Sequence, residues 1–159
     1  MKKVIIILIS FLLSFAFTIH LEAQSLTEQQ AKLLKNEVDA IFQEMLISAE
    51  KLDYDKLSTG VDDKHRAGFI TNGKYYSQYS LLIDEMKLNA QGVGQQDISI
   101  KEKKITVLSD KIVLMTVSGV SMADLPDGRE ITVNFHWSIV FEKIKNSWKV
   151  IHSHQSSVR

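Results

Sequence analysis

The chain of 159 residues contains no cysteine, only one proline and no excess of charge of either sign. Without thiols it can form no disulfide, hold no metal through thiolates and use no cysteine nucleophile. Nineteen basic residues balance nineteen acidic residues, so the sequence lacks the basic excess that is typical of nucleic-acid-binding proteins. These absences exclude a disulfide scaffold and predict no nucleic-acid partner.

The one long apolar run lies at the start of the chain. Lys2 and Lys3 precede an apolar run from Val4 to Ile19, and the following residues end in the small Ala23. A charged start, an apolar middle and a small residue at the end are typical of a secretory signal peptide. We therefore predict a signal peptide over residues 1–23, a periplasmic or secreted location, and no stable membrane association after its removal. A retained N-terminal anchor is the alternative, although a membrane-spanning helix requires about 20 apolar residues and the run from Val4 to Ile19 is shorter.

Residues 24–159 change from helical to strand-like periodicity along the chain. Apolar residues recur every three or four positions from Leu26 to Lys51, behind a Ser25–Glu28 capping box, and again over 77–91. Asp53 is suited to cap a short second helix, and Asn72-Gly73 to turn a small hairpin. Four strand-like runs follow: 98–108, 112–122, 131–144 and 147–157. This order predicts a single α+β domain whose three helices cover one face of a curved antiparallel sheet.

The last hairpin can be aligned by its alternation. A two-residue turn at Lys145 and Asn146 predicts three cross-strand pairs: Phe141–Val150, Ile139–His152 and Trp137–His154. Both strands then show one apolar-aromatic face and one polar face, which is the expected pattern for a half-buried sheet. This register places both histidines on the apolar face, beside Trp137.

The order of elements and the end of the chain resemble a known superfamily. Asp53-Tyr54-Asp55 follows the long helix, and the chain ends in the run Trp148-Lys149-Val150-Ile151-His152-Ser153-His154-Gln155-Ser156. This pattern resembles the nuclear transport factor 2-like superfamily, especially its SnoaL-like and ketosteroid-isomerase-like bacterial branch, and also the association domain of calmodulin-dependent kinase. The resemblance implies a cystatin-like, cone-shaped half-barrel with a cavity between the helices and the sheet. It also implies frequent homodimers packed sheet to sheet, and it implies no particular activity.

The sequence departs from the ketosteroid isomerases of this branch. Those enzymes place a carboxylate base on the first short strand and a tyrosine on the first helix. Here residues 64–71 contain no Asp or Glu, and residues 26–51 contain no Tyr. The sequence therefore predicts that this chain is not a ketosteroid isomerase.

The histidine pair admits three interpretations. His152 and His154 could hold a metal, but the predicted apolar face offers no third ligand, so we expect neither metal nor cofactor. Either histidine could serve as a general base in a lyase, isomerase or cyclase. The favoured interpretation is structural: the pair closes the pocket and bonds a backbone carbonyl or loop residues such as Asp62 or Asp63.

Aromatic, methionine and hydroxyl side chains supply the candidate ligand-binding residues. They are Tyr54, Phe69, Tyr75, Tyr79, Met86, Met115, Trp137 and Ser156, each of which could instead belong to the core or the structural frame. The predicted function is the binding of a small, largely apolar molecule by an exported homodimer, with no assigned reaction. Two alternatives stay open: catalysis through His152 or His154, and an assembly module that oligomerises through its sheet.

Overall fold

Three helices precede four long strands, with a small hairpin between the second and third helices. The fold is taken from a computed structural model that describes residues 26–64, 67–94 and 96–158, so the predicted signal peptide lies outside the described residues. The helices are α1 (Glu28–Glu50), α2 (Tyr54–Thr59) and α3 (Tyr79–Asn89). The strands are β1 (Phe69–Thr71), β2 (Lys74–Tyr76), β3 (Gln96–Val107), β4 (Ile112–Asp124), β5 (Glu130–Ile144) and β6 (Ser147–Val158).

The first two helices begin at side-chain caps. Thr27 Oγ1 accepts the Gln30 amide at 3.2 Å, and Gln30 Oε1 accepts the Thr27 amide at 2.9 Å. The capping box is therefore two residues further on than predicted, because the hydroxyl of Thr27 stands directly before the first helical turn. The predicted cap of α2 is confirmed, since Asp53 Oδ1 accepts the Lys56 amide at 3.0 Å.

The strands form one six-stranded sheet in the order β2-β1-β6-β5-β4-β3. Four of the five pairings are antiparallel, and the short β1 pairs with β6 in parallel. The sheet curves around the helices but does not close into a barrel, which confirms the predicted α+β class and cystatin-like fold. Among the described helices, none is long and apolar enough to cross a bilayer.

Two β-bulges divide the long strands. One interrupts β3 between Ile100 and Glu102, and the other interrupts the pairing of β5 with β6 between Val140 and Phe141. A bulge inserts one extra residue, bends the strand and increases its twist. These bulges help to form the concave face on which the helices pack.

The second bulge changes the register of the last hairpin. The turn at Lys145 and Asn146 is confirmed by φ angles of 48° and 66°, and Phe141 pairs with Val150 as predicted. Beyond them, however, the pairs are Val140–His152, Ile139–Ser153, Ser138–His154 and Trp137–Gln155. The predicted pairs Ile139–His152 and Trp137–His154 are wrong because the extra residue, Ile151, reverses the faces of everything that follows it.

The core lies between α1 and the concave face of the sheet. Its least accessible side chains include Val38, Phe42, Val113, Met115, Ile139 and Phe141. Glu37 fastens α1 to the last hairpin, since its carboxylate accepts from Trp148 Nε1 at 2.7 Å and from Lys143 Nζ at 2.8 Å. The packed middle of the sheet leaves a cavity at one end of the half-barrel.

Candidate functional site

A cavity of about 420 Å³ opens between the helices and the concave face of the sheet. Its walls come from α1, α2, α3, the β1–β2 hairpin and the long strands. The volume falls within the range of small-molecule pockets, about 300–1,000 Å³. The fold therefore provides one enclosure of a size that suits a small organic ligand.

The inner wall of this cavity is mostly apolar. Its apolar and aromatic lining includes Met45, Leu46, Leu82, Met86, Phe135 and Trp137. Tyr79 adds a phenol, and the burial of that side chain strongly raises its pKa. Burial disfavours the phenolate, so Tyr79 presents a neutral hydroxyl rather than a charge. The wall is suited to an apolar molecule that carries a few hydrogen-bonding groups.

The rim of the cavity carries a pair of opposite charges. The Lys74 ammonium on β2 forms an ion pair with the Glu85 carboxylate on α3, and it lies 5.0 Å from the centre of the Tyr76 ring. Hydrogen bonds from Lys74, and then from Tyr76, lower the pKa of the Glu85 carboxyl. Burial, followed by the bond to Glu85, raises the pKa of Tyr76. Within the described lining, these are the only ammonium and carboxylate groups, and they are paired with each other.

Neutral polar side chains from the strands complete the lining. Ser153 and Gln155 project inward from β6, and Gln96 and Ser121 contribute from β3 and β4. The inward position of Ser153 and Gln155 follows from the bulge in β6, which turns their histidine neighbours to the other face. The strand that was predicted to supply imidazoles therefore supplies a hydroxyl and an amide.

The two histidines of the last strand lie away from this lining. His152 donates from Nδ1 to the carbonyl oxygen of Gly68 at 2.7 Å, since a carbonyl can only accept. His154 is exposed and stands opposite Ser138 on the outer face of the sheet. The predicted placement of both histidines on the apolar face is therefore wrong. The structural role expected for the pair, a bond to a backbone carbonyl, is confirmed for His152.

Three of the eight candidate ligand-binding residues line the cavity. Tyr79, Met86 and Trp137 do so, as predicted. Tyr54, Phe69 and Met115 are buried in the core instead, because their strands and helices turn these side chains into close-packed regions. Tyr75 and Ser156 are exposed, since Tyr75 alternates with the buried Tyr76 and Ser156 follows the reversed register of β6.

Several lining residues had not been predicted to bind a ligand, among them Lys74, Tyr76, Glu85, Ser153 and Gln155. Alternation along the short hairpin strand could have identified Tyr76, because one side of a strand that packs on a helix is buried. The inward position of Ser153 and Gln155 depends on the bulge at Ile151, which the sequence does not mark.

The two tryptophans differ in how their indole N–H groups are satisfied. The Nε1–H of Trp148 donates to Glu37 at 2.7 Å. The Nε1 of Trp137 is buried and has no hydrogen-bond partner among the described residues. An unpaired buried donor costs about 1–3 kcal/mol. Trp137 therefore has an unsatisfied donor on a side chain that borders the cavity.

A second depression, of about 460 Å³, lies along α1 between Glu37 and Ser48. It is bordered by the β5–β6 turn, and its charged groups include Glu37 and Lys143, which bind each other. It is more open to solvent than the cavity between the helices and the sheet, so we regard it as the weaker candidate site. No cluster of three or more potential metal ligands occurs in the described parts of the chain.

Comparisons with known proteins agree with this architecture. Residues 38–159 match the family model of the SnoaL-like domain. No curated protein matches the chain.

Solved structures with the same fold share little sequence with it. A nuclear transport factor 2-like superfamily protein from Salmonella enterica has 16% identity and a TM-score of 0.72, covering 80% of this chain and 93% of its own. A protein with a cystatin-like fold from Caulobacter vibrioides has 11% identity and a TM-score of 0.65, covering 79% and 89%. The hexachlorocyclohexane dehydrochlorinase LinA-type3 from Novosphingobium barchaimii has 11% identity and a TM-score of 0.70, covering 84% and 92%. Identities this low establish the fold alone.

Proposed function

Because the chain belongs to the SnoaL-like domain family of the nuclear transport factor 2-like superfamily, we propose that it binds a small, largely apolar organic molecule in the cavity between the helices and the sheet. No reaction is assigned. The observation that carries the proposal is the cavity itself, about 420 Å³ in volume, with an apolar inner wall and hydrogen-bonding groups at its rim.

The charges of the lining favour binding over acid–base catalysis. Glu85 is the one carboxylate among the described lining residues, and its bonds to Lys74 and Tyr76 lower its pKa and so weaken it as a base. His152 and His154, the residues first considered as general bases, are not among those lining residues. A dehydrochlorinase occurs among the proteins of similar fold, but it shares only 11% identity with this chain. The described lining of the cavity contains no histidine, and its one carboxylate is paired with Lys74.

The binding proposal can be tested with protein purified from its native host. Denaturation, solvent extraction and mass spectrometry should recover a small, low-polarity molecule in stoichiometric amount. As a second test, α-tetralone and its hydrocarbon analogue tetralin should raise the melting temperature of the ligand-free protein. Absence of an extracted molecule, together with no stabilisation by either compound, would refute the proposal.

A matched pair of variants locates the binding site. Met86 lines the cavity, whereas Leu88, two residues further along α3, is 64% exposed. Met86→Trp should fill the cavity and abolish stabilisation by tetralin, because the added ring occupies the ligand's volume. Leu88→Trp should leave that stabilisation unchanged, and equal behaviour of the two variants would place binding elsewhere.

We also propose that two copies associate through the outer face of the sheet. The centre of this face, across β4, β5 and β6, carries hydroxyl and imidazole side chains rather than carboxylate or ammonium groups, among them Thr116, Ser118, His136, Ser138 and His154. The cores of protein interfaces are depleted of charge, and a twofold axis brings such a face against its own copy without repulsion. The absence of carboxylate and ammonium groups from the centre of this face, among the described residues of β4, β5 and β6, supports a homodimer.

Sedimentation velocity tests this association. Wild-type protein should sediment as a dimer and Ser138→Glu as a monomer, because the variant places two like charges in the interface. Gln91→Glu, in the exposed turn that follows α3, is the control that should remain dimeric. A monomeric wild type would exclude the dimer, and a ring larger than a dimer would favour the assembly-module alternative.

Export remains a proposal that rests on residues 1–23. The charged start, the apolar run and Ala23 support cleavage before Gln24. Protein recovered from the periplasm or medium of the native host should have the intact mass of a chain that begins at Gln24. Recovery of the full-length chain with the membrane fraction would favour a retained anchor.

A further inference from the structure

Among the described residues, one buried side-chain donor has no hydrogen-bond partner, and it belongs to a residue that lines the cavity. The chain has two tryptophans, and the N–H of Trp148 is paired with Glu37. The N–H of Trp137 is buried, yet it has no partner among the described residues. Buried polar groups of folded proteins are nearly always paired, so this exception calls for an explanation.

The surroundings of Trp137 hold its ring at the cavity wall. Phe42 packs against it edge to face, with ring centres 6.1 Å apart, and the ring borders the same space as Met86. Gln155 stands directly opposite Trp137 on β6 and also lines the cavity. The long, flexible Gln155 side chain is thus the polar group on the neighbouring strand that can move beside the indole.

We propose that the Trp137 N–H recognises an oxygen acceptor on the ligand, which makes the ligand a neutral, largely apolar carbonyl compound. This inference rests on the proposed binding function of the cavity. An indole N–H can only donate, so its partner must supply an acceptor. The ligand is neutral because Lys74, the one ammonium group in the described lining, is already paired with Glu85.

Access to this N–H requires a local movement. The nitrogen is covered by its neighbours, while the rest of the side chain is only partly buried. Gln155 is the neighbouring polar side chain on β6, so the movement that this inference invokes is a change of its rotamer, after which the Gln155 amide can donate to the same oxygen. Side-chain rotations of this kind are common on binding and leave the backbone in place.

Two probe compounds of nearly equal shape test the inference. α-Tetralone carries a carbonyl and tetralin does not. The dissociation constants of both are measured by calorimetry for wild type, Trp137→Phe and Trp148→Phe. The dissociation constant of tetralin divided by that of α-tetralone should fall by about tenfold in Trp137→Phe. The variant weakens only the binding of α-tetralone, because only that compound loses a hydrogen bond to the buried donor. In Trp148→Phe the ratio should match wild type, because that N–H binds Glu37.

The wild-type protein gives a second readout that needs no variant. The indole N–H signal of Trp137 in the NMR spectrum should move downfield with α-tetralone and much less with tetralin, while the Trp148 signal stays in place. An unchanged ratio in Trp137→Phe, or a Trp137 signal that responds equally to both compounds, would overturn the inference and leave cavity binding intact. Failure of wild type to bind either compound would overturn this inference, and it would also overturn the cavity-binding proposal if no molecule is extracted from protein of the native host.

Discussion

The imidazole of His152 donates a 2.7 Å hydrogen bond to the carbonyl oxygen of Gly68. Gly68 immediately precedes β1, and β1 pairs with β6 beside this bond, so the interaction fixes the hairpin to the rest of the sheet. The same hairpin carries Lys74 and Tyr76 to the rim of the cavity. A histidine that looks catalytic in the sequence thus supports the frame of the cavity.

The first prediction concerns the stability provided by this bond. His152→Ala should lower the free energy of unfolding by about 1–2 kcal/mol, because it leaves the partly buried Gly68 carbonyl without its donor. His154→Ala should change it by less than about 0.5 kcal/mol, since His154 is exposed. Urea denaturation of both variants measures the difference, and equal losses would contradict the structural role of His152.

The second prediction compares the two tryptophans in ligand-free protein. Trp148→Phe should lower the unfolding free energy by at least about 1 kcal/mol more than Trp137→Phe. The first variant breaks the bond to Glu37, whereas the second removes a donor that has no partner in the part of the chain that the structure describes. Thermal and urea unfolding provide the measurement. A larger loss in Trp137→Phe would indicate that its N–H is paired in solution, for example by Gln155.

The third prediction concerns Gly119, which leaves room for the ring of Phe135. A Cβ at Gly119 would approach the Ser99 carbonyl oxygen at 2.5 Å and the Phe135 ring at 2.6 Å. Gly119→Ala should therefore cost about 1–3 kcal/mol and push Phe135 toward the cavity that it lines. Gly94→Ala is the control, because nothing lies within 4 Å of its added Cβ. Equal unfolding free energies for the two variants would contradict this packing.

The fourth prediction concerns the ion pair at the cavity rim. The bond from Lys74 is the main cause of the lowered pKa of Glu85, so Lys74→Met should return that pKa toward its ordinary value of 4.5. A carboxyl whose pKa is lower in the folded state stabilises the fold above its unfolded pKa, and this contribution is lost as the pH falls through the folded value. As the pH falls, the free energy of unfolding should therefore decrease less steeply in Glu85→Gln than in wild type.

Carboxyl NMR titration measures the pKa of Glu85 directly, and urea unfolding between neutral and acidic pH measures the slope. Glu44→Gln, which removes an exposed carboxylate from α1, serves as the control variant. An unaltered Glu85 titration in Lys74→Met would show that the two side chains do not interact in solution.

Much of the architecture could be read from local patterns in the sequence. The spacing of apolar residues located the helices and the four long strands, and Asn72-Gly73 and Lys145-Asn146 marked turns that adopt positive φ angles. The superfamily was recognised from the order of these elements and is confirmed by the family match. Such features depend on neighbouring residues, so the sequence carries them directly.

The lining of the cavity was predicted less well because it depends on the register of the strands. Alternation assigned the faces of β5 correctly, but it could not reveal the extra residue in β6. Ile151 is that residue, and isoleucine is common in regular strands. One inserted residue moved His152 and His154 outward and brought Ser153 and Gln155 inward. The proposed catalytic role of the histidines was the inference most sensitive to this error.

The sequence by itself determined the order of helices and strands, the superfamily and the absence of thiol chemistry, because each follows from residue type and short-range spacing. The tertiary structure alone decided which side chains face the cavity. Lys74 meets Glu85 only because the hairpin folds against α3, and the buried N–H of Trp137 has no partner among the described residues because its ring is packed against Phe42 of α1. Contacts between distant segments depend on how the sheet bends, and no local pattern specifies that bend.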